Sequence, residues 1–413
     1  MSVQELQARI NDVSVDIDRQ KEVLKKLEHS KSALQRQLNA VRDPVSRLPP
    51  EISSEIFIQC LPSTSNPHPG ARDIPMLFLN ICNAWTDIAL STPALWEAIQ
   101  IQFPRATGFD QLLTTWLSRA RNRSLSLSLH GTFDEDAATI VRGYAETLRR
   151  LEIHTHNTDC LDLFDSMSCP SLETLKISFL CNAYGDTPRY SLSQTLDILR
   201  VAPNLVECTF YRLFTFPDSR ARHLVLPTLR SLVFRGPSHD EILKLLTLPA
   251  LETLSLAMIT LSPKDFASLL KRSSPPLQNL IMGRQSDYRP LDFTQLDECL
   301  RLIPTLTHLE LSMPGDYPTP MFISLADSPS LVPNLLSIQI GCPQGTICHH
   351  LYSALVRALS VRRARIVCCK LRWHPGIVLA SADEPNALIL EALREFAAGG
   401  MQIQLGTKYR NYL

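Results

Sequence analysis

Residues Pro249–Leu256 read Pro-Ala-Leu-Glu-Thr-Leu-Ser-Leu, an instance of Pro-x-Leu-x-x-φ-x-φ in which φ is apolar. The pattern also stands at Pro170 (Leu172, Leu175, Ile177), Pro203 (Leu205, Cys208, Phe210) and Pro227 (Leu229, Leu232, Phe234). It follows at Pro275 (Leu277, Leu280, Met282), Pro304 (Leu306, Leu309, Leu311) and Pro333 (Leu335, Ile338, Ile340), and a copy without the proline runs Leu148, Leu151, Ile153. The steps between prolines are 33, 24, 22, 26, 29 and 29 residues. Alternation of the last two φ positions is the period of a strand, and a proline pushes the residue before it out of the helical region. Each copy therefore predicts a chain that leaves a helix, stops at the proline and enters a short extended segment.

The residues between the copies supply the helices. Ser238 to Glu241 has the form of a capping box before Ile242, Leu245 and Leu246; Ser262 to Asp265 opens a helix through Phe266, Leu269 and Leu270; Thr294 to Asp297 opens one through Leu300 and Ile303. Such units cannot bury their apolar faces alone, and their spacing lies in or near the range of leucine-rich repeats. The fold class expected is an α/β solenoid, an irregular leucine-rich repeat with a parallel sheet inside and helices outside. Irregularity is expected because Leu180, Leu213, Pro237 and Ile259 stand where such repeats usually carry Asn or Cys. Side chains alternating outward include Thr174, Glu207, Thr209, Ser231, Ser255 and Ser337. Lys176, Tyr211, Arg235, Thr253, Asn279, His308, Glu310 and Gln339 form the candidate substrate face. That row is mixed in charge and suits a protein or peptide, whereas nucleic acid would demand clustered Lys and Arg. Residues 360–413, with Trp373, a helix near Asn386 to Ala398 stopped by Gly399-Gly400, and a last strand through Met401, Ile403 and Leu405, would cap the array.

At the other end, Val3, Ile10, Ile17, Leu24, Lys31 and Leu38 fall on heptad position a, and Leu6, Val13, Gln20, Leu27, Leu34 and Val41 on d. Ten of these twelve seam positions are apolar. A 3.5-residue repeat makes a narrow stripe that must zip against another helix or lie on the rest of the chain. β-branched residues at a with Leu at d lean towards a parallel pair, and Asp16 with Lys21 is the one attractive flanking pair. Self-association through residues 3–41 is the expectation; a helix folded back on its own chain is the alternative.

Pro44 ends the heptad, and Leu48-Pro49-Pro50-Glu51 opens a helix whose Ile52, Ile56 and Cys60 recur every four residues. Residues 62–75, with four prolines, read as an exposed loop. Helix resumes near Met76, with Leu77, Ile81, Trp85 and Ile88 as its stripe, and a short third helix is expected over Leu95 to Ile99. These stretches, LPPEISSEIFIQCLP (Leu48 to Pro62) and LNICNAWTDIALSTPALWEAI (Leu79 to Ile99), resemble the F-box of the large F-box-like families of mushroom-forming fungi. The resemblance implies a helical bundle docking on the Skp-type adaptor of an SCF (cullin–RING) ubiquitin ligase, with Leu48, Pro49, Ile52 and Ile56 facing the adaptor and Ile81 and Trp85 supporting or joining that surface. Where that family usually has a basic residue or two, this chain has Asn83 and Ala84. The C-terminal array is in turn similar to the leucine-rich arrays that follow F-boxes in many substrate receptors. On physical grounds alone, so small a module cannot cover all its own Leu, Ile and Trp, so either a partner or the following domain covers the remainder.

Composition bounds the rest. The chain has 413 residues, 41 basic and 41 acidic side chains and no net charge, which gives no field to draw it to phosphate backbones or acidic membranes. The first residues lack the apolar core of a secretory signal, no apolar run approaches ~18 residues, and the 11 scattered cysteines suit reduced thiols, so a cytoplasmic or nuclear protein without disulfides is expected. Cys342, Cys348, His349 and His350 are metal-ligand types at a spacing that fits no zinc pattern, Cys368-Cys369 cannot easily bridge, and His154 and His156 have no third ligand at a useful distance. No phosphate loop, nucleophile elbow or zincin helix is present. The expected organisation is a coiled-coil helix (1–43), an F-box-like helical module (44–101) and an irregular leucine-rich-repeat-like solenoid with a C-terminal cap (102–413). The expected function is that of a non-enzymatic substrate adaptor of an SCF-type ligase, without cofactor or metal and holding an unknown protein substrate. An oligomeric scaffold is the alternative, and a metal-dependent or hydrolytic enzyme a more distant one.

Overall fold

A computed structural model describes the chain except for residues 1–2, 63–65, 104–107, 122, 133–134, 157–162, 165–166, 181–188, 237, 239, 260, 286–292, 313–317, 343–348, 374–384 and 408–410. Pro237 and Cys348 lie outside the described residues. The fold is α/β, with a large parallel sheet of twelve strands. The chain divides into two compact units, Met1–Ile101 with Thr107–Ser128, and Gln102–Ala106 with Leu129–Leu413.

The early elements are α1 (Val3–Arg42), α2 (Pro50–Gln59), α3 (Asn83–Ser91), β1 (Ala98–Gln102), α4 (Phe109–Arg119) and β2 (Leu125–His130). Helix α1 is unbroken, and its described apolar seam positions are exposed, from 43% at Leu6 to 77% at Val41. Within the first unit these described side chains are left uncovered. Pro50 occupies the first turn of α2 with Glu51 beside it, as a proline without an N–H and an acid at the positive helix end favour.

Three local expectations give way to packing. The helix expected from Met76 is instead a 3-10 turn over Met76–Asn80, then an extended Cys82 that starts α3, with the Thr86 hydroxyl donating to the carbonyls of Leu79 and Cys82 across the break. In one continuous helix Phe78 and Trp85 would stand about 10 Å apart along the axis. The break brings their ring centroids to 5.6 Å, and Phe57 lies against both at 4.2 and 4.8 Å. The expected third helix is only a turn, Pro93–Trp96, because Ile99 and Ile101 alternate inward with the period of a strand. The 62–75 segment is not wholly exposed: Pro67 and Pro75 are buried, the Pro67 carbonyl accepts from Gln100 N–H of β1, and Asn66 bonds Ser126 and Ser128. Loop backbone thus satisfies an edge strand that would otherwise offer free donors.

The later elements are α5 (Glu135–Arg142), β3 (Leu148–Thr155), β4 (Thr174–Phe179), β5 (Arg189–Ser191), α6 (Leu192–Arg200), β6 (Glu207–Tyr211), β7 (Phe214–Phe216), β8 (Leu224–Val225) and β9 (Ser231–Arg235). They continue with β10 (Leu246–Thr247), β11 (Thr253–Ile259), α7 (Pro263–Ser273), β12 (Asn279–Gln285), α8 (Phe293–Arg301), β13 (His308–Ser312) and α9 (Pro318–Asp327). The last are β14 (Ser337–Cys342), α10 (His349–Val361), β15 (Cys368–Trp373), α11 (Ala387–Ala398) and β16 (Gln402–Thr407). The large sheet runs β1-β2-β3-β4-β6-β9-β11-β12-β13-β14-β15-β16, and two short pairs, β5 with β7 and β8 with β10, stand apart from it.

Every proline-led copy delivers a strand, and the copies align in register. Leu175 pairs with Cys208, then Leu232, Leu254, Leu280, Leu309 and Ile338; Ile177 pairs with Phe210, then Phe234, Leu256, Met282, Leu311 and Ile340. Leu151 and Ile153 extend these columns at one end, and Cys369 with Leu371 and Ile403 with Leu405 at the other. All of these except Ile403 are buried, each large apolar side chain contributing roughly 1.5–3 kcal/mol. Helices α7 and α8 lie on this face: Leu256 and Met282 share one apolar gap with Phe266 of α7 and Leu296 and Cys299 of α8.

Capping follows the expectation in part. Ser262 caps α7 by accepting from Asp265 N–H, and Asn386 caps α11 before its stop at Gly399. Ser238 does not cap: its hydroxyl accepts from Leu213 N–H and donates to the Arg235 carbonyl, and only a 3-10 turn, Glu241–Leu245, follows. The step there, from Pro227 to Pro249, is the shortest, leaving no room for a full helix. The complete capping box is at Ser191 and Gln194, opening α6. Helix α8 begins at Phe293, which places Thr294 inside it; that side chain lies outside the described residues.

Candidate functional site

The first unit carries an apolar ledge. Leu48 precedes α2, and Ile52 and Ile56 follow at helical spacing; they are 40%, 51% and 41% exposed, while Phe57, one residue on, is 1% exposed. Helical geometry separates the two roles, since consecutive residues point about 100° apart. Pro49 is exposed beside Leu48, and Ile81 and Trp85 are half-buried. The Trp85 indole donates to Asp43 Oδ2 and packs on Phe57 and Phe78, which makes it a support beneath the module rather than part of its outer surface. The ledge offers aliphatic area flanked by the exposed carboxylates of Glu51 and Glu55.

The second unit carries a polar depression on the sheet face opposite the buried columns. It encloses about 440 Å³ over β3, β4, β6 and β9, lined by Glu152, His154, Lys176, Ser178, Leu180, Thr209, Tyr211 and Arg235. Period-two alternation puts these side chains on one face while Ile153, Ile177 and Phe210 go to the other. His154 Nε2 is 2.8 Å from Glu152 Oε1, and the His130 ring stacks on His154 with centroids 4.2 Å apart. The hydrogen bond with His154, joined by the charges of Lys176 and the two imidazoles, holds the Glu152 carboxyl below its ordinary value against the opposing effect of burial. Arg212 lies over the Tyr211 ring at 5.5 Å.

Of the expected substrate face, Lys176, Tyr211 and Arg235 meet in this depression. Thr253, Asn279, His308, Glu310 and Gln339 continue the same face across β11 to β14, with Asn279 donating to Thr253 Oγ1 at 3.1 Å. Ser337, expected outward, is buried between its register neighbours His308 and Cys368. Val233 and Ile281 also face outward, making the row less polar than the motif positions alone suggest. Glu152 and His154 stand two apart on β3 and so share a face, but His130 joins them from β2 only through the sheet, which is why the cluster was not legible.

Burial raises the thiols of Cys169 and Cys299 to about 11 and that of Cys369 to about 12, leaving these cysteines unsuited to nucleophilic chemistry at neutral pH. Cys342 is buried at the end of β14, and the His349 ring meets Asn386 and Ser353. Among the described residues no group of three or more His, Cys, Asp or Glu is placed to hold a metal ion, and no helix is long and apolar enough to cross a membrane.

No family model matches the chain, and no curated protein matches it. Among solved structures it is similar to a Bacteroides fragilis protein determined by the Northeast Structural Genomics Consortium, at 11% identity over 72% of this chain and 78% of that one, with a TM-score of 0.39. A likeness that faint leaves function to be read from the residues.

Proposed function

We propose that this chain is a substrate-recognition adaptor of an SCF-type ubiquitin ligase, non-enzymatic and working in the cytoplasm or nucleus. In this reading residues 44–101 are an F-box-like module whose ledge of Leu48, Pro49, Ile52 and Ile56 docks on a Skp-type adaptor. The sheet of the second unit belongs to an irregular leucine-rich solenoid whose open face holds a protein substrate. The observation that carries the proposal is the separation on α2: Phe57 closes the module's own core while Ile52 and Ile56 stay uncovered. Two aliphatic anchors on one face of α2, with Leu48 just before the helix, offer an apolar surface to a groove, and burying them supplies binding energy once association costs are met. The mixed depression around Lys176, Tyr211 and Arg235 supports the substrate role, because polar groups convergent on a concave site fix orientation and specificity.

Co-expression with a Skp-type adaptor tests the reading. The wild-type chain should co-purify with it, and the triple variant Leu48→Ser/Ile52→Ser/Ile56→Ser should not. Equal recovery with both chains, or none with the wild type, would refute it and leave an interaction scaffold without a ligase role as the better description.

A further inference from the structure

We propose that α1 pairs with α1 of a second copy of this chain in antiparallel orientation, in a register centred between Lys25 and Lys26. The described apolar residues of the seam are all exposed, so the stripe awaits a cover. Its two polar interruptions decide which cover fits. In a parallel pair each seam residue meets itself, so Lys31 would face Lys31 of the other copy, two like charges in a dry layer, and Gln20 would face Gln20. In an antiparallel pair each a residue meets a d residue. With the centre between Lys25 and Lys26, Ile10 meets Val41, Val13 meets Leu38, Ile17 meets Leu34 and Leu24 meets Leu27. Lys31 then meets Gln20, whose side-chain carbonyl can accept from the ammonium. Sliding one heptad either way places Lys31 and Gln20 against apolar residues instead, leaving buried polar groups without partners.

The flanks agree. In this register Lys21 of one copy stands beside Glu28 of the other, on both sides of the centre, and no like charges face each other at these positions. β-branched a residues, which favour parallel pairs, must here compete with a like-charge layer, and the charge decides. Antiparallel pairing also has a geometric consequence: the two copies leave the coil at opposite ends, about 50 Å apart, rather than side by side. The device would present two separated binding units from one assembly, whatever those units bind.

The test uses the full chain in two single variants, Val13→Cys and Leu38→Cys, both at exposed positions. Sedimentation should first show twice the mass of one chain. Under mild oxidation, a mixture of the two variants should yield a covalent heterodimer in which peptide mapping joins residues 13 and 38. Val13→Cys alone should give no dimer linked through position 13, since the two copies of that residue lie nearly 40 Å apart. A 13-to-13 link, a monomeric mass or a higher oligomer would overturn the proposal.

Discussion

The side-chain amide of Asn204 donates to the backbone carbonyl of Pro170 at 2.9 Å, joining one proline-led unit to the unit before it. Asn334 does the same to Pro304 at 3.0 Å, and Thr228 reaches Pro203 and Leu205 by its hydroxyl. Thr305 reaches Leu277 at 2.8 Å. All four occupy the variable position directly after the motif proline. The carbonyls concerned lie where the chain turns from helix return to strand, so a short polar side chain there clasps neighbouring units together.

These clasps are surface bonds, and each contributes modestly. Asn204→Ala and Asn334→Ala should each lower unfolding free energy by about 0.5–1 kcal/mol in denaturant titration, and the double variant should lose about the sum, since the sites share no partner.

Arg362 is a stronger joint of the same kind. It is 6% exposed, and its guanidinium donates to the carbonyls of Leu325 in α9 and of Ser328, Leu331 and Val332 in the segment that follows it. A lysine cannot reproduce that planar fork. Arg362→Lys should cost roughly 2–4 kcal/mol by chemical denaturation, because carbonyls are left buried without donors.

The two faces of α2 should separate stability from binding. Phe57→Ala, which empties the stack with Phe78 and Trp85, should destabilise the chain by about 3–5 kcal/mol. Ile52→Ser and Ile56→Ser, at exposed positions, should each change stability by no more than about 0.5 kcal/mol. Thermal unfolding of the three variants checks both statements.

Glu152 makes part of the stability pH-dependent. Its carboxyl is held below the ordinary value by the His154 hydrogen bond first and the Lys176 charge after it. A lowered folded-state value means that its contribution is complete above the unfolded value and is lost as pH falls through the folded one. The stability advantage of wild type over Glu152→Gln should therefore be present at about pH 5 and narrow on further acidification. Melting curves across that range measure it.

What the sequence disclosed follows from the range of each interaction. The columns through Leu175 and Ile177 were legible because period-two alternation and a proline stop are local, and register then only stacked like on like. The start of α2 at Pro50 and the stop of α11 at Gly399 were local in the same way. Where contacts from afar competed, local reading fell short. Cys82 is extended because Phe78 and Trp85 must both reach Phe57, Ser238 serves Leu213 rather than a helix, and Ile99 joins a strand. Glu152 and His154 are neighbours at the two-residue spacing of one strand, but His130 reaches His154 only across the sheet, which no spacing along the chain announces. Outward residues such as Lys176 and Arg235 could be named from alternation, but not the depression they line.

Calorimetric titration of a purified Skp-type adaptor into the full chain tests the central claim most directly, that the Leu48–Ile52–Ile56 ledge is a docking surface. Wild-type chain should bind with a negative heat-capacity change, the mark of apolar burial, and Leu48→Ser/Ile52→Ser/Ile56→Ser should weaken binding at least about 100-fold while melting at the same temperature. Equal affinity for the two chains, or no binding by the wild type, would contradict the account.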